Sequence, residues 1–150
     1  MIRHTLALAA MLAMPAVAQA QVIRDCGRVG NPAAIVEPWA ENTRSFANGA
    51  IRIALLDTGG EPACCSVHLL VLIPTPPQDG PVTRQCLVLS AEEEMGFFDI
   101  GFSGIGASYD PAQGLALDIP VFRFLDGIDS IPDHTRLRIS QAHGTVVIEE

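Results

Sequence analysis

The side chains with the most chemical capacity here are the four cysteines, Cys26, Cys64, Cys65 and Cys86. All four follow an N-terminal stretch that reads as an export leader. An even number of cysteines in that setting points to disulfides in an oxidising compartment. A zinc site would need closely spaced thiolate pairs of the C-x-x-C kind, and adjacent Cys64 and Cys65 do not supply that spacing. Four cysteines allow three pairings. If residues 65–73 and 84–90 form a hairpin, Cys86 lies opposite about Val71, ~20 Å along the strand from Cys65. Cys86 must then bond to Cys26, which leaves Cys64 with Cys65. Neighbouring Cα atoms are only ~3.8 Å apart, below the usual disulfide range, so such a bond is strained and easier to reduce. If the two strands belong instead to opposed sheets, Cys64 and Cys65 point to opposite faces and form two long-range staples with Cys26 and Cys86. The strain of a bond between neighbours favours the two staples.

The remaining candidates are weaker. His68 follows Cys64 by four residues. On an ideal strand the two would be about 13 Å apart, too far to share an ion or act as nucleophile and base. His68 therefore reads as a hydrogen-bonded histidine in an apolar strand, and His134 and His143 as exposed residues in or beside turns. Ser103 lies in Gly101-Phe-Ser-Gly-Ile-Gly106, which places its second glycine one position early for a nucleophile elbow and also fails G-x-G-x-x-G. These glycines read as bend and bulge positions. Asp126, Asp129 and Asp133 offer oxygen ligands, but their spacing does not match a calcium loop, so they read as turn-forming residues. Glu92, Glu93 and Glu94 read as a solvated face. No catalytic residue, metal ligand or cofactor-binding motif is identified.

The leader is residues 1–20. Arg3 supplies its positive start, residues 6–17 form an apolar core of about a dozen residues, and Ala18-Gln19-Ala20 is a small-x-small cleavage pattern. The apolar run is shorter than the roughly 20 residues that a bilayer span requires. The expected mature chain starts at Gln21 and forms one disulfide-tied β domain over residues 21–150, periplasmic or secreted. The sequence contains no lysine, so all nine basic residues are arginine; without Arg3, eight face 17 acidic residues, a balance of −9. Such a chain is repelled by phosphate backbones and anionic lipid, which argues against nucleic acid and a polybasic membrane contact, and the short apolar run leaves no stable membrane insertion expected after leader cleavage.

Strands must position these residues. Residues 50–74 hold two apolar, β-branched runs around the turn cluster Asp57-Thr58-Gly59-Gly60-Glu61-Pro62, a hairpin signal. Ile51, Ile53 and Leu55 share one face. Val67, Leu69, Val71 and Ile73 share another, with Leu70 and Leu72 opposite, so the second run reads as a central strand covered on both sides. Asn48-Gly49 suggests a tight hairpin turn. Residues 84–90 form a third strand. Ser90 with Glu93 makes a capping box and Gly96 a stop, which predicts a short helix near 91–95. In residues 115–125 the apolar phase changes at Pro120, predicting a β-bulge or break around 120–122. Residues 126–133 read as a loop, and Trp39 as buried. About eight strands with frequent turns predict an all-β, mostly antiparallel sandwich or small barrel. A disulfide-tied scaffold of this kind suits a binding or interaction module for an unknown protein or small-molecule ligand. The alternatives are a redox-responsive protein using Cys64-Cys65 and an enzyme with catalytic residues on scattered loops.

Overall fold

A computed structural model of the chain describes residues 20–60, 64–76, 83–93, 95–126 and 129–149. The leader reading therefore lies outside the described residues up to position 19, as do Glu61, Pro62 and Glu94. The fold is an all-β sandwich of two five-stranded sheets. Sheet 1 has the order β1-β5-β4-β3-β2, built from Val22–Asp25 (β1), Thr43–Phe46 (β2), Ile51–Asp57 (β3), Val67–Pro74 (β4) and Arg84–Ser90 (β5). Sheet 2 comprises Asp99–Ile100 (β6), Gly106–Asp110 (β7), Gly114–Asp126 (β8), Asp129–Ser140 (β9) and Thr145–Glu149 (β10), in the order β10-β9-β8-β6 with β7 also on β8. Every pairing is antiparallel.

Period-two alternation builds the main core. Ile51, Ile53, Leu55, Leu69, Val71, Ile73 and Leu89 of sheet 1 face Leu115, Leu117, Ile119, Val121, Leu137 and Ile139 of sheet 2, all in one buried cluster. Each such side chain contributes about 1.5–3 kcal/mol of transfer free energy. The opposite face of sheet 1 is covered too. Residues 26–36 cross it, and Val29, Ala34 and Ile35 pack on Ala54, Leu56, Leu70 and Val88. This second cluster explains why β4 is apolar on both sides. The outer face of sheet 2 carries charge instead. Arg136 bonds Asp118 at 2.9 Å and Glu149 at 3.0 Å, and Arg138 bonds Glu149 at 2.8 Å.

Several local expectations need correction. No helix forms at 91–93; these residues bend, and the Glu92 N–H donates forward to the Met95 carbonyl, the reverse of the helical sense. The one-turn α-helix is instead Trp39–Asn42, and Trp39 is 51% exposed because this turn packs at the rim of the sandwich, not in it. The chain reverses between β2 and β3 one residue earlier than expected. The Gly49 N–H bonds the Phe46 carbonyl, with Ala47 and Asn48 both at positive φ. β8 runs unbroken through Pro120, which pairs with His134, and the register shift falls between Phe124 and Asp126. Pro120 is tolerated because its ring nitrogen faces the gap between β6 and β7, where residues 101–105 bend away. Its carbonyl still accepts from the Gly101 N–H. Of the expected loop at 126–133, Asp126 ends β8 and residues 129–133 are strand within β9, while 127 and 128 lie outside the described residues; Asp133 within β9 bonds Arg123 at 2.6 Å.

Candidate functional site

The two disulfides occupy different kinds of position. Extending the β1–β5 register by one step sets Cys26 opposite Cys86, and the Cys26 N–H bonds the Cys86 carbonyl at 3.0 Å. Their Cα atoms are 5.3 Å apart, inside the disulfide range, and the bond closes a sequence separation of 60. Gly30 folds over this bond. A Cβ there would lie 2.4 Å from Cys26 Cβ, so the crossover requires glycine.

Cys64 is bonded to Cys65. The expectation of two long-range staples is thereby overturned. β4 and β5 are neighbours in one sheet, and Cys86 lies across from Leu72, far along β4 from Cys65. The hairpin geometry prevails over the strain of a bond between neighbours. That strain has a backbone counterpart, since Cys65 sits at φ 76°, a region rare for residues with a Cβ.

Surrounding hydrogen bonds hold this turn. The Cys65 carbonyl accepts from the Gly96 N–H at 2.7 Å, and the Val67 carbonyl from the Phe97 N–H at 2.7 Å. The approach is so close that a Cβ on Gly96 would lie 2.6 Å from both carbonyl oxygens. On the other side, the Thr58 N–H donates to the Ser66 carbonyl at 3.0 Å. The Asp57 carboxylate accepts from Ser66 Oγ at 2.6 Å and from the Gly59 N–H at 3.0 Å. These two bonds, Ser66 first, hold the Asp57 carboxyl below the usual carboxylate range.

His68 lies on the outer face of β4 beside this turn. It is buried, with Nδ1 2.9 Å from Ser90 Oγ, as expected of a hydrogen-bonded histidine. Burial, reinforced by the nearby Arg24 charge and opposed by Asp57, pushes its pKa down to about 4. The ring is therefore neutral at pH 7. Ser90 and His68 are spaced like a nucleophile and its base, but they are 0% and 4% exposed, so no substrate reaches the hydroxyl.

Arg24, Arg28, Val29, Cys64, Cys65 and His68 line an open recess of about 730 Å³ at this end of sheet 1. Because β4 begins only at Val67, the spacing of an ideal strand does not separate His68 from Cys64, and both reach the same recess. Arg24 is set by β1, where it pairs with Val88 on the outer face. Its Nε is buried and makes no hydrogen bond among the described residues. Neither Arg24 nor Arg28 forms an ion pair there, whereas Arg123, Arg136 and Arg138 of sheet 2 all do.

The other sequence candidates lie apart from this recess. Ser103 sits in a 3-10 turn whose carbonyl accepts from Arg44. His143 lies in the β9–β10 turn, and His134 is exposed within β9 rather than in a turn. A more apolar cleft of about 510 Å³ opens near Phe46, Ile51, Tyr109 and Leu115, with no charged side chain among the described residues that line it. Sequence reasoning missed Arg24 and Arg28, for which neither spacing nor composition offers a signal. No helix among the described residues is long and apolar enough to cross a membrane. Compared with known proteins, the chain matches no family model, no curated protein and no solved structure.

Proposed function

We propose that the protein is an exported binding domain, with residues 1–20 as its leader and the recess beside Cys64 and Cys65 as its ligand site. The observation that carries this reading is the preformed wall. The bonded Cys64-Cys65 turn is fixed by Gly96 on one side and by Thr58 on the other, ahead of any ligand. Preorganisation of this kind lowers the ordering cost of binding. The volume of about 730 Å³ lies within the usual range for small-molecule sites. A small-molecule fragment screen against the 21–150 domain, read by amide chemical shifts, tests it. Shifts clustered at Arg24, Arg28, Ser66 and His68 are expected. Shifts clustered at the Tyr109 cleft, or none, would contradict it.

A second reading is redox response, favoured by the Cys64–Cys65 bond lying on a recess wall. A dithiol reductant would supply two electrons. One of its thiolates attacks a protein sulfur, breaking the Cys64–Cys65 bond, and the released thiolate takes a proton. The second thiol of the reductant then displaces the mixed disulfide, leaving an oxidised reductant and two protein thiols. Dithiothreitol titration with alkylation and peptide mapping tests it. Selective, reversible opening of Cys64–Cys65 with altered ligand binding supports the role; opening without any change in binding counts against it.

A further inference from the structure

Resting on the binding-site reading above, we propose that the recess takes a small organic anion, an oxyanion group on a less polar body, with Arg24 and Arg28 holding the oxyanion and the Cys64–Cys65 disulfide with Val29 holding the body.

Charge accounting leads there. The chain without its leader carries eight arginines against 17 acidic residues, so an arginine with no acidic partner is unexpected. In sheet 2 the excess acid is used: Arg123, Arg136 and Arg138 each bond a carboxylate. In sheet 1 the arginines bond backbone oxygens instead. Arg44 reaches the Ser103 and Ile105 carbonyls, Arg52 that of Gly49, and Arg84 those of Gly49 and Ala50. Arg24 and Arg28 have neither kind of partner among the described residues, and both line the one recess. A guanidinium with a desolvated, unmatched Nε is costly unless an acceptor arrives, because a buried donor without a partner has lost its hydrogen bonds to water and gained none. Two guanidinium forks facing one space suit a planar carboxylate or a tetrahedral sulfate or phosphate.

The rest of the wall restricts the ligand further. Among the described residues no carboxylate lines the recess. Asp57, whose charge acts on His68, is occupied by Ser66 and Gly59. His68 is neutral and buried, so the positive charge at the recess comes from Arg24 and Arg28. The recess is far larger than a bare ion, and the disulfide and Val29 present apolar surface beside the arginines. An anion with an apolar body uses both.

The test is an amide-shift titration of the 21–150 domain with sodium benzoate, sodium sulfate and benzyl alcohol, the last a neutral relative of benzoate. Wild type, Arg24→Gln, Arg28→Gln and, as a control on the same sheet, Arg52→Gln are compared at low salt. Benzoate is expected to saturate with shifts at Arg24, Arg28 and Ser66. Loss of one charge-assisted contact is expected to weaken it about tenfold in each recess variant, and Arg52→Gln to leave it unchanged. Arg28 is exposed, so its variant remains informative if Arg24→Gln fails to fold. Sulfate alone binding as well as benzoate would overturn the organic-body part. Benzyl alcohol binding as tightly as benzoate, at the same residues, would overturn the anion assignment while leaving the recess a binding site. No saturable shift with any probe would overturn this proposal, and the fragment screen then decides whether the binding-site reading falls with it.

Discussion

Cys26–Cys86 and Cys64–Cys65 lie on the same sheet, yet they constrain the chain in opposite ways. The first joins two strand positions already opposed by the β1–β5 register and closes a separation of 60 residues. The second closes a separation of 1 and lies in a turn, outside any strand. A long closure removes many conformations from the unfolded chain; a closure between neighbours removes few. Stability therefore belongs to the first bond, and local shape to the second. The difference teaches that cysteine content alone does not measure how much a fold is stapled. The surroundings agree with this division. Around Cys26 the chain packs apolar side chains on the sheet, whereas around Cys64 it leaves an open space with two arginines that have no ion-pair partner among the described residues.

The largest effect should come from removing the first bond. Cys26→Ser with Cys86→Ser is expected to cost about 4 kcal/mol in the chain-entropy model, against about 1 kcal/mol for Cys64→Ser with Cys65→Ser. Urea unfolding of both double variants checks it, and equal losses would break the comparison. Next comes Gly96→Ala, which forces a Cβ toward the Cys65 and Val67 carbonyl oxygens. Overpacking against backbone is expected to cost about 3 kcal/mol and to shift amides of residues 64–68 while leaving those of Cys26 and Cys86 in place. Heteronuclear spectra of the variant read both.

A smaller effect follows from His68. Its folded pKa, about 4, lies below its ordinary 6.5. Below pH 6.5 the unfolded chain therefore takes up a proton that the folded chain refuses, so stability is full above 6.5 and falls as pH drops toward 4. The loss is on the order of 2 kcal/mol, and it should vanish in His68→Gln when urea midpoints are followed across that window. Asp57 acts in a lower window. Its depressed pKa contributes stability above the ordinary carboxylate pKa near 3.9, and that stability is lost as pH falls through the folded value. The smallest effect is expected from Glu149→Gln on the outer face of sheet 2, where partly exposed ion pairs with Arg136 and Arg138 add little and less still in salt.

The sandwich was legible because burial leaves a period-two record. Ile51, Ile53 and Leu55, and Val67 to Ile73, could be assigned to faces before any contact was known, and β4 was correctly read as covered twice. Errors arose where tertiary contacts override local chemistry. The Ser90–Glu93 capping box did not make a helix, because Ser90 is drawn into the sheet against His68 and residues 96–97 bond the turn before β4. Trp39 was expected inside, and its exposure depends on where a one-turn helix meets the rim. Pro120 did mark an irregularity, but the partner strands bend there and β8 does not. The site was legible only in part. Adjacent cysteines drew attention to the right turn, but their partner could not be chosen without knowing that β4 and β5 share a sheet. Arg24 and Arg28 carry no local pattern. Their meaning comes from the absence of acidic partners among the described residues, which no spacing rule records.

The division between staple and site is tested most directly by one experiment on two proteins, the Cys26→Ser/Cys86→Ser and Cys64→Ser/Cys65→Ser variants. Each is titrated with sodium benzoate under conditions where it is folded, and each is unfolded in urea. The account predicts that the first variant loses most of its stability margin but retains benzoate affinity, while the second stays near wild-type stability and binds benzoate distinctly more weakly. Undiminished benzoate binding by the second variant, or a stability loss there as large as in the first, would contradict it.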